Sequence, residues 1–249
     1  MLEFRSVTVQ YGKAQPIVQD ISFAANSGEI TVLLGHNGCG KSTLLRAAMQ
    51  EISYTGKVFY DNVALSDLSS SARARQISML PQQLPSPALT VRETVALGYA
   101  PHVTRLGASE WKTVDERIAQ MELSALAGRP VCTLSGGERQ KVFLAMLLTQ
   151  DTPILLLDEP TTYMDLSFTA KFFDILKKER DRCKAILLVM HDVTDALRIA
   201  DRVAVIRDAA LAFCGTPSEA LEQNVPESFF GLTRYTAKRG EKTAYFFRT

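Results

Sequence analysis

The chain has 249 residues, 46% hydrophobic and 22% charged, and 28 Lys and Arg against 27 Asp and Glu leave a formal net charge of +1. This excludes an intrinsically disordered chain and argues against bulk nucleic-acid binding. Cys39, Cys132, Cys183 and Cys214 form no CxxC pair, which fits reduced thiols rather than a disulfide framework or a zinc site.

The first elements read as strands: Leu2 to Val9, Val18 to Ala25, and Glu29 to Leu34 running into glycine. A helix follows from Lys41, with Leu44, Leu45, Ala48 and Met49 at helical spacing. Pro85, Pro87 and Thr90 open a different region, with helical patterns at Val91 to Leu97, Ser109 to Leu126 and Glu138 to Leu148, so residues 84–150 are expected to form a helical insert. Strand-like runs return at Ile154 to Leu157, Ile186 to Val189 and Val203 to Ile206 with helical segments between them, the alternation of a parallel sheet. The charged run Lys177 to Arg182 reads as a solvated helix end. Met1 to Arg5 lacks the charged-then-apolar layout of a signal segment, and no apolar run approaches the length of a membrane span, so the chain is not expected to cross a bilayer.

Gly35-His36-Asn37-Gly38-Cys39-Gly40-Lys41-Ser42 matches GxxxxGK[ST] between a predicted strand and a predicted helix. Glycines let successive backbone N–H groups converge on an anion, the helix N-terminus adds positive potential, Lys41 reaches β and γ phosphates and Ser42 can ligate Mg2+. Cys39 reads as a small filler of this loop. The run Ile154 to Leu157 ends in Asp158 and Glu159. A phosphate loop needs a metal-holding acid at a neighbouring strand's C-terminal end, which makes Asp158 the candidate, with Glu159 addressing the attacking water. His191 ends another apolar strand. Ser135-Gly136-Gly137-Glu138 combines a Ser-x-x-Glu capping box with glycines at a helix N-terminus, a second place suited to an anion.

Taken in order from Tyr11 to His191, these motifs resemble the nucleotide-binding subunit of ATP-binding cassette transporters. The resemblance implies an α/β fold, a single cassette domain over 1–249, with a phosphate-loop core on a mostly parallel sheet, an N-terminal antiparallel β subdomain and the inserted helical subdomain. It implies ATP and Mg2+ as cofactors, with Tyr11 stacking on adenine and Gly35, Asn37, Gly38, Cys39, Gly40, Lys41, Ser42 and Thr43 in the phosphate cradle. Gln82, after Met79-Leu80-Pro81, takes the place of the glutamine that contacts metal and water. Metal ligation thus falls to Ser42, Gln82 and Asp158, and catalysis to Glu159, His191, Gln82 and Lys41. Ser135, Gly136 and Gly137 would bind the γ phosphate held by the opposite subunit, and Asp165 lies in a loop crossing the dimer interface. The implied partners are a second copy head to tail, membrane permease subunits docking near residues 82–107 and, indirectly, an extracytoplasmic substrate-binding protein. The implied location is the cytoplasmic face of the membrane, with no nucleic-acid partner.

Two segments resemble importers of iron-siderophore, haem and cobalamin: Thr161-Thr162-Tyr163-Met164-Asp165, and Gly98-Tyr99-Ala100-Pro101-His102 with Leu106-Gly107. The second departs from those importers' pattern, with Tyr99 and Ala100 where an arginine stands. An exporter ATPase stays open as an alternative, as does a soluble cassette ATPase. A nonhydrolytic module is opposed by the presence of Glu159 and His191. Residues Arg234 to Arg248 carry five basic residues and one acid, and read as a hairpin packing its aromatics on the core, with Arg239-Gly240-Glu241 near the turn.

Overall fold

The computed structural model describes residues 1–12, 14–239 and 242–248. Strands β1 (Leu2–Val9), β2 (Val18–Ala25) and β3 (Glu29–Leu34) lead through the glycine loop into α1 (Lys41–Ala48). They are followed by β4 (Thr55–Tyr60), β5 (Val63–Ala64), α2 (Ser70–Ala74) and β6 (Ile77–Leu80). The helical region holds α3 (Val91–Ala96), α4 (Ala108–Gln120) and α5 (Gly136–Gln150). Next come β7 (Ile154–Asp158), α6 (Leu166–Asp181), β8 (Ala185–Val189), α7 (Val193–Ile199), β9 (Arg202–Arg207) and β10 (Ala210–Gly215). The chain closes with α8 (Pro217–Glu222), α9 (Val225–Phe230), β11 (Thr233–Arg239) and β12 (Lys242–Arg248).

Two sheets carry the architecture. One is antiparallel, in the order β2-β1-β4-β5, and the other runs β10-β9-β3-β8-β7-β6, parallel except for the β10–β9 pair. Alternation along the strands of the larger sheet sends Val32, Leu155, Leu157, Ile186 and Leu188 into a core shared with the insert. It sends Leu33, Leu156, Leu187 and Val189 toward α1 and the antiparallel sheet. Side chains buried on both faces explain why these strands read as continuous apolar runs rather than alternating ones.

The structure changes several sequence expectations. The pattern read to Leu126 breaks earlier, because α4 ends at Gln120 and Glu122 turns the chain with φ +61 while Leu123 enters the core. The run Lys177–Arg182 is not wholly solvated. Glu179 is buried at 3% exposure and pairs with Lys184 at 2.9 Å and Arg182 at 2.9 Å. Helical spacing places it one turn beyond the buried Ile175 and Leu176, so its side chain follows the apolar face inward. Arg117 of α4 reaches the same carboxylate at 3.7 Å, which ties the insert to the core. His102, read from the sequence only as a subfamily mark, packs its Nε2 2.8 Å from the carbonyl of Gln150 at the end of α5. The terminal hairpin forms with Tyr235 opposite Phe246 and Arg234 opposite Phe247. Its packing differs from expectation: Phe247 lies against the core, whereas Tyr235, Tyr245 and Phe246 are exposed. The turn residues Gly240 and Glu241 lie outside the described residues.

Candidate active site

The parallel strands β3, β8, β7 and β6 are neighbours in that order, and their C-terminal ends carry, side by side, the glycine loop, His191, the Asp158–Glu159 pair and Gln82. Binding sites in open α/β sheets form at such strand ends. One detail corrects the sequence reading: β7 is not next to β3, because β8 with His191 lies between them.

The loop turns from β3 into α1 with Gly40 at φ +100 and a Cβ there would collide with Val18 of β2, so both conformation and space demand glycine. Lys41 is 5% exposed, and its Nζ donates to the carbonyls of Gly35 at 2.7 Å and His36 at 3.0 Å. The Cys39 sulfur sits 3.9 Å from the same Nζ. The ammonium therefore holds the loop's curvature, as does the Cys39 N–H, which donates to the His36 carbonyl at 3.3 Å. Asn37, Gly38, Gly40, Lys41, Ser42, Thr43, Gln82, Glu159 and His191 line one cavity of about 540 Å3. Ile17 lines it too, a residue that the sequence offered no signal for.

Asp158 ends β7 at 2% exposure, and its Oδ1 is buried without a hydrogen-bond partner. Burial pushes its carboxyl above the usual carboxylate range, Glu159 beside it adds to that, and Ser42, Lys41 and His191 counter it. An orphaned buried carboxylate oxygen next to a serine hydroxyl fits a hard divalent cation with oxygen ligands. Glu159 follows at φ +51, a conformation that costs a non-glycine residue of order 1–3 kcal/mol. That turn brings its carboxylate to two partners, with Gln82 Nε2 donating to Oε2 at 2.9 Å and His191 Nε2 lying 2.5 Å from Oε1. The neighbouring Gln83 does not line this cavity.

Tyr11, Ser135, Gly136, Gly137 and Asp165 lie apart from it. Ser135 caps α5: its Oγ accepts from the Glu138 N–H at 3.3 Å and donates to Glu138 Oε2 at 2.7 Å. That pairing holds the Glu138 carboxyl below its usual range. Gly136, Arg139, Gln140 and Tyr163, together with Gln82, Gln83 and Leu84, line a second cavity of about 360 Å3. A Cβ on Gly137 would fall 2.6 Å from the Tyr163 carbonyl, so the glycine permits the loop before α6 to cross α5 closely. Asp165 caps α6 by accepting from the Phe168 N–H at 2.8 Å, and Tyr163 in the loop before it is 62% and Leu166, the first residue of α6, 88% exposed. Tyr11 is half exposed on the loop after β1 and lines neither cavity.

A glycine loop and a buried lysine at a helix N-terminus, set against carboxylates at parallel strand ends, make this a phosphate-loop nucleoside triphosphatase. A family model described as ABC transporter matches residues 18–162. The chain is 37% identical over 239 residues to the petrobactin import ATP-binding protein FpuD of Bacillus anthracis, covering 93% of this chain and 86% of that protein. It is 35% identical to the hemin import ATP-binding protein HmuV of Shewanella denitrificans, covering 90% and 91%. Among solved structures, a dimeric ATP-binding cassette bound to ADP and Pi superposes with a TM-score of 0.80 at 27% identity, covering 87% of this chain and 99% of that one. The chain belongs to the ABC transporter family, as an ATP-binding ATPase subunit.

Proposed function

We propose that this subunit energises a membrane importer for a metal chelate, an iron-siderophore or a related haem or cobalamin complex. The observation that carries the reading is the Gln82–Glu159–His191 cluster at the mouth of the phosphate-loop cavity, joined to the import functions named for relatives such as FpuD and HmuV.

The geometry supports the following roles. Loop amides and Lys41 cradle the β and γ phosphates. Glu159 orients the attacking water and accepts its proton, Gln82 fixes one of its carboxylate oxygens, and His191 stands at the other, within reach of a γ phosphate. Ser42, Asp158 and Gln82 would hold Mg2+, supported by the orphaned Asp158 Oδ1; when bound, the ion supplies charge neutralisation to the triphosphate.

Ser135 to Gly137 line up outside the phosphate-loop cavity. This supports a head-to-tail homodimer, as does the likeness to a cassette solved as a dimer: each signature would meet the nucleotide of the other copy, with Asp165 crossing the interface and Tyr11 stacking on adenine. Closure around ATP and reopening after hydrolysis provide the coupled motion. Permease subunits dock near residues 82–107, an extracytoplasmic binding protein delivers cargo to them, and the subunit sits peripherally at the cytoplasmic membrane face. No helix among the described residues is long and apolar enough to cross a membrane.

Purification from native membranes in mild detergent, followed by mass spectrometry and uptake assays with iron chelates, haem and cobalamin, tests the reading. Recovery of a polytopic permease and ATP-dependent uptake of one of these cargoes is expected. Recovery of soluble ribosomal or DNA-bound partners alone overturns it.

A further inference from the structure

The phosphate loop has a second attachment, from His36 within the motif to α9. The His36 Nε2 is 2.9 Å from the Phe229 carbonyl of α9, and the His36 ring packs on Phe230 with centroids 5.5 Å apart. A carbonyl only accepts, so Nε2 carries the proton of this bond. His36 is also one of the two residues whose carbonyls accept from Lys41 Nζ. Its side chain is thus held by α9 while its backbone holds the phosphate-binding ammonium.

The same C-terminal segment grips the other side of the cleft. The Phe247 N–H of β12 donates to Thr194 Oγ1 at 3.2 Å, and Thr194 lies in the first turn of α7, three residues after His191. Arg234 makes the segment one piece, donating to Glu227 Oε1 at 2.6 Å and to the Leu221 carbonyl at 2.7 Å. Arg207, at the end of β9, donates to the Ser228 carbonyl at 3.4 Å and fixes α9 against the sheet. Between the two grips lies a cavity of about 350 Å3, bounded by His36 and Asn37 on one side, Met190 and His191 on the other, and Phe230.

We propose that His36 and Phe230 are positioning residues for ATP hydrolysis, through which the C-terminal segment acts as a strut that sets the distance between the phosphate loop and the His191 loop. This inference rests on the ATPase reading. A loop held only by its own glycines and Lys41 samples more arrangements, and a phosphate cradle loses affinity when its amides must be ordered by the ligand. The strut removes that freedom by tying the His36 side chain to α9.

The test uses the full chain carrying His36→Ala, His36→Gln or Phe230→Ala, with steady-state ATP hydrolysis, fluorescence titration of ATP and thermal melting. His36→Ala is expected to raise KM and Kd for ATP about fivefold, the size of one lost hydrogen bond, with little change in melting temperature, and Phe230→Ala, which removes the ring that His36 packs on, to raise both in the same direction. His36→Gln retains a donor toward the Phe229 carbonyl and is expected to restore wild-type affinity. Wild-type affinity in either alanine variant overturns the strut, as does a fall in melting temperature or active fraction with KM unchanged, or a His36→Gln variant as weak as His36→Ala. Failure of the wild-type chain to hydrolyse ATP removes the ATPase reading instead, and the titration alone then decides the strut.

Discussion

His191 Nε2 lies 2.5 Å from Oε1 of Glu159, so the proposed base and the histidine meet directly at the ends of adjacent strands. With Gln82 on Oε2, both carboxylate oxygens are oriented by a partner, and each keeps a second lone pair with which Glu159 can take a proton from water. Glu159→Gln removes that basicity with little change in shape. Hydrolysis is expected to fall about 10²- to 10⁴-fold, the usual worth of general-base catalysis, while ATP binding persists. Phosphate release, alongside light scattering for an ATP-trapped dimer, checks this; wild-type turnover would assign the base elsewhere.

Lys41→Ala affects two things at once. The phosphates lose their cation, and the Gly35 and His36 carbonyls lose a buried donor. Calorimetric titration is expected to show ATP affinity lost, and denaturant unfolding a stability loss of about 1–3 kcal/mol, the cost of leaving buried acceptors unpaired. Retention of both sinks the loop assignment.

Asp158→Asn should separate stability from function. Because burial raises the folded-state pKa of Asp158, its ionised form destabilises the fold at neutral pH; the penalty is absent below the unfolded value and complete above the folded one. The variant should therefore melt higher than the parent in a chelator at pH 7, by about 2–4 °C for each kcal/mol relieved, and the gap should close as pH falls through the carboxylate range. Mg2+ with ATP should narrow the gap by stabilising only the parent, and Mg2+-dependent hydrolysis should disappear. A variant that melts lower in chelator refutes the account.

Glu138→Ala breaks the reciprocal cap at the start of α5. The folded-state pKa of Glu138 is depressed, chiefly by its hydrogen bond from Ser135, so its contribution is present above the unfolded carboxylate value and lost as pH falls through the folded one. About 0.5–2 kcal/mol should be lost at pH 7, typical of a cap, and the difference from the parent should vanish in acid. Urea unfolding across pH 3–7 measures it; a pH-independent difference would place the effect in packing.

What the sequence disclosed was local. The phosphate loop is contiguous, so eight residues carry the turn, the cation and the hydroxyl together. Asp158 and Glu159 announce themselves as acids closing an apolar run, and Ser135 and Glu138 as a cap, since each pattern spans a few residues. The strand order was not readable: nothing near Ile154 says that β8 separates β7 from β3. Short or mixed elements such as β6, with Ser78 and Met79 among its four residues, carry too little pattern to be seen. Glu179 was misread because its charge outweighed its place on the apolar face of α6. The partners of His36 lie 193 positions away at Phe229, a separation at which periodicity holds no information.

The bare side chain of Leu166, with Tyr163 nearby, has a practical consequence for handling the molecule. Apolar knobs of this kind are tolerable on a subunit that spends its life assembled, but on an orphan copy they invite sticking and precipitation. Overproduction of this chain alone should therefore give a concentration-limited preparation, and expression from one transcript with its assembly partners should recover yield.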